Sequence, residues 1–218
     1  MMRIIDCEPR SETWERLRHR PTASDFHSFI TPVKGDYSQK KATDYAAKIV
    51  AKRLGVYVEA PPTDWMEWGT EQEPNAKHAY TLQTGREITN VGFAFPDDTT
   101  TFGGSPDGLV DPDGIIEIKC PKAETLIAYR KAGELPAKYK PQVQGLLLIT
   151  GRAWCDFFVF HPQLEPFLIR IEPDEKYQLQ IVKCLQLLLQ EIADTEPMVR
   201  LQDHELVTPS PHTDEMEV

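Results

Sequence analysis

The sequence predicts an α/β fold, a central mixed β-sheet flanked by helices, in one domain over residues 1–193. Three observations predict it. Apolar residues recur at three- and four-residue spacing in several long stretches, as in helices packed by one face. Between these lie short β-branched and aromatic runs bounded by Pro, Gly and Asp, which read as strands. The order is helices, three strands, helical segments, two strands and a closing helix, which suits a sheet covered by helices.

Each element has its own warrant. Glu12–Arg18 carries Trp14 and Leu17 one turn apart, and Thr22–Phe26 reads as a second helix start, with a hydroxyl at the cap and Asp25 in the first turn. Pro32–Gln39 is a loop. Lys41–Leu54 places Ala42, Tyr45, Ala46, Ile49 and Val50 on one stripe and stops at Gly55. Asp64–Thr84 reads as one long helix, with Pro74 as an internal point where it kinks or divides. Ile88–Phe95 alternates like a strand, and Pro96-Asp97-Asp98 turns the chain into the next segment.

Thr101–Lys119 is the stretch the rest serves. It reads as a β-hairpin whose turn is Asp111-Pro112-Asp113-Gly114 and whose return strand is Ile115–Lys119. Ala123–Lys131 is a short helix ended by Gly133, and Pro136–Gly151 a longer one. Ala153–His161 and Pro166–Ile171 are aromatic-rich strands. Pro173-Asp174-Glu175 opens a final helix, with proline at its first position and acids at the positive end of its dipole. Residues 194–218 are acidic and proline-containing, and disorder is expected there.

Composition narrows the function classes. Hydrophobic residues make up 40% of the 218, enough for a core without disulfide or metal staples. The four cysteines are scattered without a Cys-x-x-Cys, which argues against zinc-finger and iron–sulfur sites and for a reducing cytoplasm. No leader-like apolar segment or membrane-length apolar run is evident. The net charge of −10 is unequally placed, because residues 194–218 alone carry −6. Residues 10–41 hold seven Lys/Arg against four Asp/Glu, and residues 122–140 five against two, so these are the candidate phosphate-facing surfaces.

The hairpin suggests chemistry. Alternation along a strand puts Glu117 and Lys119 on one face and Ile116 and Ile118 on the other, and folding back at the turn brings Asp107 beside Glu117. Two carboxylates and an ammonium suit a divalent metal and a water nucleophile. Mg2+ is held by few carboxylates, keeps several waters, and shares substrate phosphate. Asp111 and Asp113 lie in the turn, where local backbone hydrogen bonding accounts for them.

Gly-Ser-Pro-Asp-Gly-Leu at 104–109, followed by Glu-Ile-Lys-Cys-Pro at 117–121, resembles the YqaJ-type viral recombinase family of PD-(D/E)XK nucleases. The resemblance implies a restriction-endonuclease-like core with catalytic Glu73, Asp107, Glu117 and Lys119. Glu73 is the acid in Trp68-Gly69-Thr70-Glu71-Gln72-Glu73, which is similar to the family's Trp-Gly-x-x-x-Glu. Metal ligands would be Asp107, Glu117, the Ile118 backbone carbonyl and Glu73, with two Mg2+ ions, or Mn2+ in their place. Arg18 (with Arg16 and Arg20 as alternatives), Ser24 and Gln142 would hold a 5′-terminal phosphate, Lys34 would enter the DNA groove, and Gln144 would be structural. The implied activity is 5′-to-3′ digestion of double-stranded DNA ends to mononucleotides, leaving 3′ overhangs. Implied partners are two further copies in a homotrimeric ring and a phage-encoded single-strand annealing protein. Two rivals stand beside this reading: a structure-dependent or restriction-type endonuclease of the same fold, and a non-catalytic DNA-end-binding module.

Overall fold

The structure, a computed structural model, describes residues 2–96 and 99–199. The turn expected at Pro96-Asp97-Asp98 falls largely outside these residues, as does most of the tail expected from residue 194; the first residues of that tail are ordered instead, continuing the last helix to Thr195 and forming a 3-10 turn at Glu196–Met198. Thirteen helices and strands follow in order among these residues: β1 (Arg3–Ile5), α1 (Glu12–Leu17), α2 (Gln39–Arg53), α3 (Asp64–Thr84), β2 (Ile88–Thr89), β3 (Phe93–Phe95), β4 (Gly108–Val110), β5 (Gly114–Lys119), α4 (Ala123–Ala132), α5 (Lys140–Thr150), β6 (Trp154–His161), β7 (Leu164–Ile171) and α6 (Glu175–Thr195), with a 3-10 turn at Ala23–Ser28 between α1 and α2.

A five-stranded sheet in the order β2-β4-β5-β6-β7 forms the centre, and β1 with β3 makes a separate two-stranded ribbon. The sheet is mixed: β5 runs parallel to β6, and the other neighbours are antiparallel. A parallel pair needs a crossover, supplied here by α4 and α5. Core residues lie on both faces. On one, Ile115, Phe157 and Val159 pack with α2, α5 and α6 through Ile49, Leu146 and Leu185. On the other, Ile116, Ile118 and Phe158 pack with Tyr80 and Ala76 of α3. Each fully buried Ile or Phe in these layers stabilises by about 1.5–3 kcal/mol.

Several elements differ from the sequence expectation for physical reasons. The alternating run Ile88–Phe95 is two strands, because Gly92 lies so close to the Ile5–Cys7 backbone that a Cβ there would stand 2.3 Å from the Ile5 carbonyl oxygen. Its first half joins the main sheet and its second half pairs with β1, a strand the sequence reading did not anticipate. Helix α3 runs unbroken past Pro74, which is exposed like Thr70, so the carbonyl deprived of its partner stays within reach of water. Pro173 precedes α6 rather than opening it. Asp174 is the cap, its side chain accepting from the Tyr177 amide at 3.0 Å. The helix expected from Pro136 begins with a 3-10 turn at Ala137–Tyr139 and becomes α only at Lys140. Thr22–Phe26 forms a 3-10 turn, not an α-helix. Among the described residues, no helix is long and apolar enough to cross a membrane.

Candidate active site

The hairpin closes as its residues dictate. Val110 pairs with Gly114 around a three-residue loop, and Asp111 takes the left-handed conformation (φ 50°) that aspartate tolerates. Gly114 admits the Trp154 indole at a distance no side chain would allow, since a Cβ would lie 2.2 Å from the ring. Arg152 braces the turn by donating to the carbonyls of Asp111 (2.8 Å) and Gly114 (2.9 Å). Asp111 and Asp113 have specific partners rather than the local backbone bonds expected of them. Asp111 pairs with Arg86, and Asp113 accepts from the Trp154 indole at 3.2 Å.

Below the turn, the Asp107 amide donates to the Ile116 carbonyl (3.2 Å), and Asp107 Oδ2 accepts from the Ile118 amide at 2.5 Å. These two bonds fix Asp107 across from Glu117, as alternation required. Glu117 is only 1% exposed. Its Oε1 accepts from Lys119 Nζ and from Gln142 Nε2, the latter at 2.7 Å. Its Oε2 is buried and has no hydrogen-bond partner. A buried carboxylate oxygen left unpaired costs several kcal/mol unless something cationic satisfies it.

The electrostatics agree. Asp107 is largely enclosed by protein; burial first, and the neighbouring Glu117 second, push its pKa well above the ordinary aspartate value. Burial opposes a charge on Lys119, but the carboxylates of Glu117 and Asp107 outweigh it and hold the ammonium protonated above the ordinary lysine value. The Lys119 ammonium also stands 5.2 Å over the Tyr139 ring. Cys120 is pushed up to about 12 by burial and by Asp107 and Glu73, so it stays a thiol.

Glu73 projects from α3 into a cavity of about 560 Å3 that Asp107 also lines, together with Trp14, Thr70, Lys77 and Ser105. It pairs with Lys77 at 2.9 Å, while Glu67 and Glu71 point to solvent. Among the described residues, no three acidic, histidine or cysteine side chains close into a metal cage. The donor set that does form is Asp107, which lines the cavity, and Glu117 behind it, whose Oε2 has no partner. This fits a hard cation that retains waters and takes further oxygens from its substrate.

The residues expected to hold a terminal phosphate divide. Arg18 stacks on Trp14 (4.4 Å to the ring centroid) and faces Asp25 at 3.8 Å. Ser24 Oγ lies 3.1 Å from Thr22 Oγ1, which in turn donates to Asp25. Arg18 and Ser24 are thus joined through Asp25 and Thr22, and Trp14 links them to the cavity, because its indole donates to Ser105 Oγ at 3.3 Å. Thr22, not Ser24, is the cap of this short turn. Gln142 is placed on Glu117 instead, in the first turn of α5. Arg20 is drawn to the Thr100 carbonyl and the Phe95 ring. Lys34 is exposed on its loop. Gln144 is structural, bridging the Glu172 carbonyl and the Asp174 amide. Sequence reasoning missed Trp14, Lys77 and Tyr139; a tryptophan or tyrosine one turn from an expected site residue was the available signal.

Comparison with known proteins places this geometry. The model of the YqaJ-like viral recombinase domain matches residues 13–153. No curated protein sequence matches. An alkaline exonuclease from Laribacter hongkongensis superposes with a TM-score of 0.78 at 33% identity, over 86% of this chain and 95% of its own. The same enzyme in complex with dAMP gives 0.76 at 32% identity, over the same shares. A phage-related exonuclease from Haemophilus somnus 129PT gives 0.63 at 16% identity over 84% and 98%, a likeness of fold. The expected restriction-endonuclease-like α/β core is therefore present, and the chain belongs to the YqaJ-like viral recombinase domain family.

Proposed function

We propose that the protein is a Mg2+-dependent 5′-to-3′ double-strand DNA exonuclease that releases mononucleotides and leaves 3′ overhangs for phage-type recombination. Its coarser part, a DNA nuclease of the exonuclease type, follows from family membership and from the identity with the alkaline exonuclease. The capture of dAMP by that relative supports a mononucleotide product. The observation that carries the chemistry is Glu117 Oε2, buried and unpartnered beside Asp107 and Lys119.

Asp107, Glu117, the Ile118 carbonyl and Glu73 would together hold two metal ions, Mg2+ or Mn2+ in its place. When bound, the metal polarises the scissile phosphate and lowers the pKa of the attacking water. Lys119, held as an ammonium, orients that water and faces the charge developing on the phosphate. Gln142 keeps the Glu117 carboxylate in place, and Asp107 is aimed by the Ile118 amide. Arg18 and Ser24 would receive the 5′-phosphate, Arg18 through a forked cation and Ser24 through its hydroxyl, and Lys34 would enter the DNA groove. The proposal includes a homotrimeric ring on DNA, a single-strand annealing protein as partner, and a cytoplasmic site of action.

One incubation tests it. Linear duplex with 5′-phosphate ends, the same duplex with 5′-hydroxyl ends, and a covalently closed circle are each mixed with protein in Mg2+ or EDTA. Mononucleotides should appear from the linear substrates only in Mg2+, faster with 5′-phosphate. Nicking of the circle would make the protein an endonuclease, and equal rates for the two ends would remove the phosphate role of Arg18 and Ser24.

A further inference from the structure

Helix α3 begins with apolar surface that folding did not bury. Trp65 is 51% exposed. It meets Trp68 edge to face with centroids 5.8 Å apart, and Trp68 in turn lies 5.7 Å from His161. The Lys122 ammonium stands 4.5 Å over the Trp65 ring, and among the described residues Lys122 makes no ion pair. This shelf is held by the same strand ends as the active site. Lys122 follows Lys119 closely in the chain, and His161 ends β6, which pairs with β5 through Lys119 and Val159. Along α3, Trp65 precedes Glu73 by roughly two turns, about 12 Å.

We propose that Trp65, Trp68 and Lys122 form a stacking shelf for the bases of an unpaired DNA strand at the mouth of the catalytic cleft. The inference rests on the nuclease reading and adds a binding surface to it. Three features favour this occupant over an apolar protein partner. An indole braced edge-on by a second indole loses little freedom when a base stacks on it. A cation on that ring would be costly to desolvate against apolar protein but is satisfied by a phosphate. The segment it opens, residues 122–140, carries five Lys/Arg against two acids. A duplex offers only base edges in its grooves, so a ring that stacks selects a strand whose bases are free.

The test is a titration of tryptophan fluorescence with a short oligothymidylate, in EDTA so that nothing is cleaved. The wild-type protein should be quenched on binding. Trp65→Ala should weaken binding by about 5- to 100-fold, and Trp65→Phe by much less. Lys122→Ala should reduce the slope of log affinity against log salt by about 0.7. Far-UV circular dichroism checks that the variants fold, as substitution at an exposed ring predicts. Unchanged affinity in Trp65→Ala overturns the shelf, and so does a variant that changes only the oligomeric state, which would make the surface a contact between copies. Hydrolysis of linear duplex by the wild type is read separately: cleavage without loss of oligothymidylate binding in Trp65→Ala sinks the shelf alone, whereas binding without cleavage sinks the nuclease reading.

Discussion

Two buried carboxylates lie on neighbouring parallel strands, Glu117 on β5 and Asp156 on β6, and each is 1% exposed. Asp156 stands opposite Ile116, one register step from Glu117, and therefore points to the other face of the sheet. There it is satisfied on every side. Arg170 donates to both its oxygens (2.8 and 2.9 Å), and the Tyr80 hydroxyl donates at 2.7 Å. Arg170 is further seated on Trp154 at 3.6 Å. Glu117 has two donors on one oxygen and none on the other. Asp156 fastens α3 to the sheet through Tyr80; Glu117 is left with a capacity that the described residues do not use. Burial alone does not distinguish a working carboxylate from a structural one, but the tally of its hydrogen bonds does.

The largest expected effect bears on this difference. Asp107→Asn and Glu117→Gln should each lower hydrolysis by roughly 10^2- to 10^3-fold or more, with duplex-end binding still measurable by gel shift. Asp156→Asn should leave the activity of the folded protein intact, and an equal loss there would erase the contrast between the two acids. Next in size is stability. Asp156→Asn breaks a buried pair whose arginine keeps some solvent contact, for a cost of about 2–4 kcal/mol. The melting temperature should fall by roughly 5–15 °C. Glu117→Gln should fall far less, because Lys119 retains Asp107.

The smallest effect is a slope against pH. With chelator present, Asp107 titrates above the ordinary aspartate value, so the native state binds the more protons between that value and its raised one. The contribution of Asp107 to stability is therefore fully present at low pH and is lost as pH rises through this window. Asp107→Asn should flatten the decline. Excess Mg2+ should offset it, adding about 2.7 kcal/mol at a hundred times its dissociation constant. A melting curve that ignores both Mg2+ and pH would remove Asp107 from the metal site.

The hairpin was legible because strand alternation and turn composition are local rules. Once Asp111–Gly114 was read as a turn, the shared face of Glu117 and Lys119 followed. What the sequence did not disclose depends on distant partners. Gln142 reaches Glu117 only because the α4–α5 crossover returns the chain to β5, and nothing in the local pattern of α5 signals that. The Tyr80–Asp156 bond spans two elements whose packing angle no periodicity encodes. Gly92 read as part of a strand until the Ile5–Cys7 backbone was seen to lie against it.

Asp107, Glu117, Ile118 and Lys119 sit on one short hairpin closed by its own ladder. Their mutual spacing is thereby insulated from length changes elsewhere in the polypeptide. Loops outside this cassette are free to gain or lose residues over evolutionary time, whereas a single residue inserted within β5 ahead of Glu117 would invert the facing of Glu117 and Lys119 and silence them together.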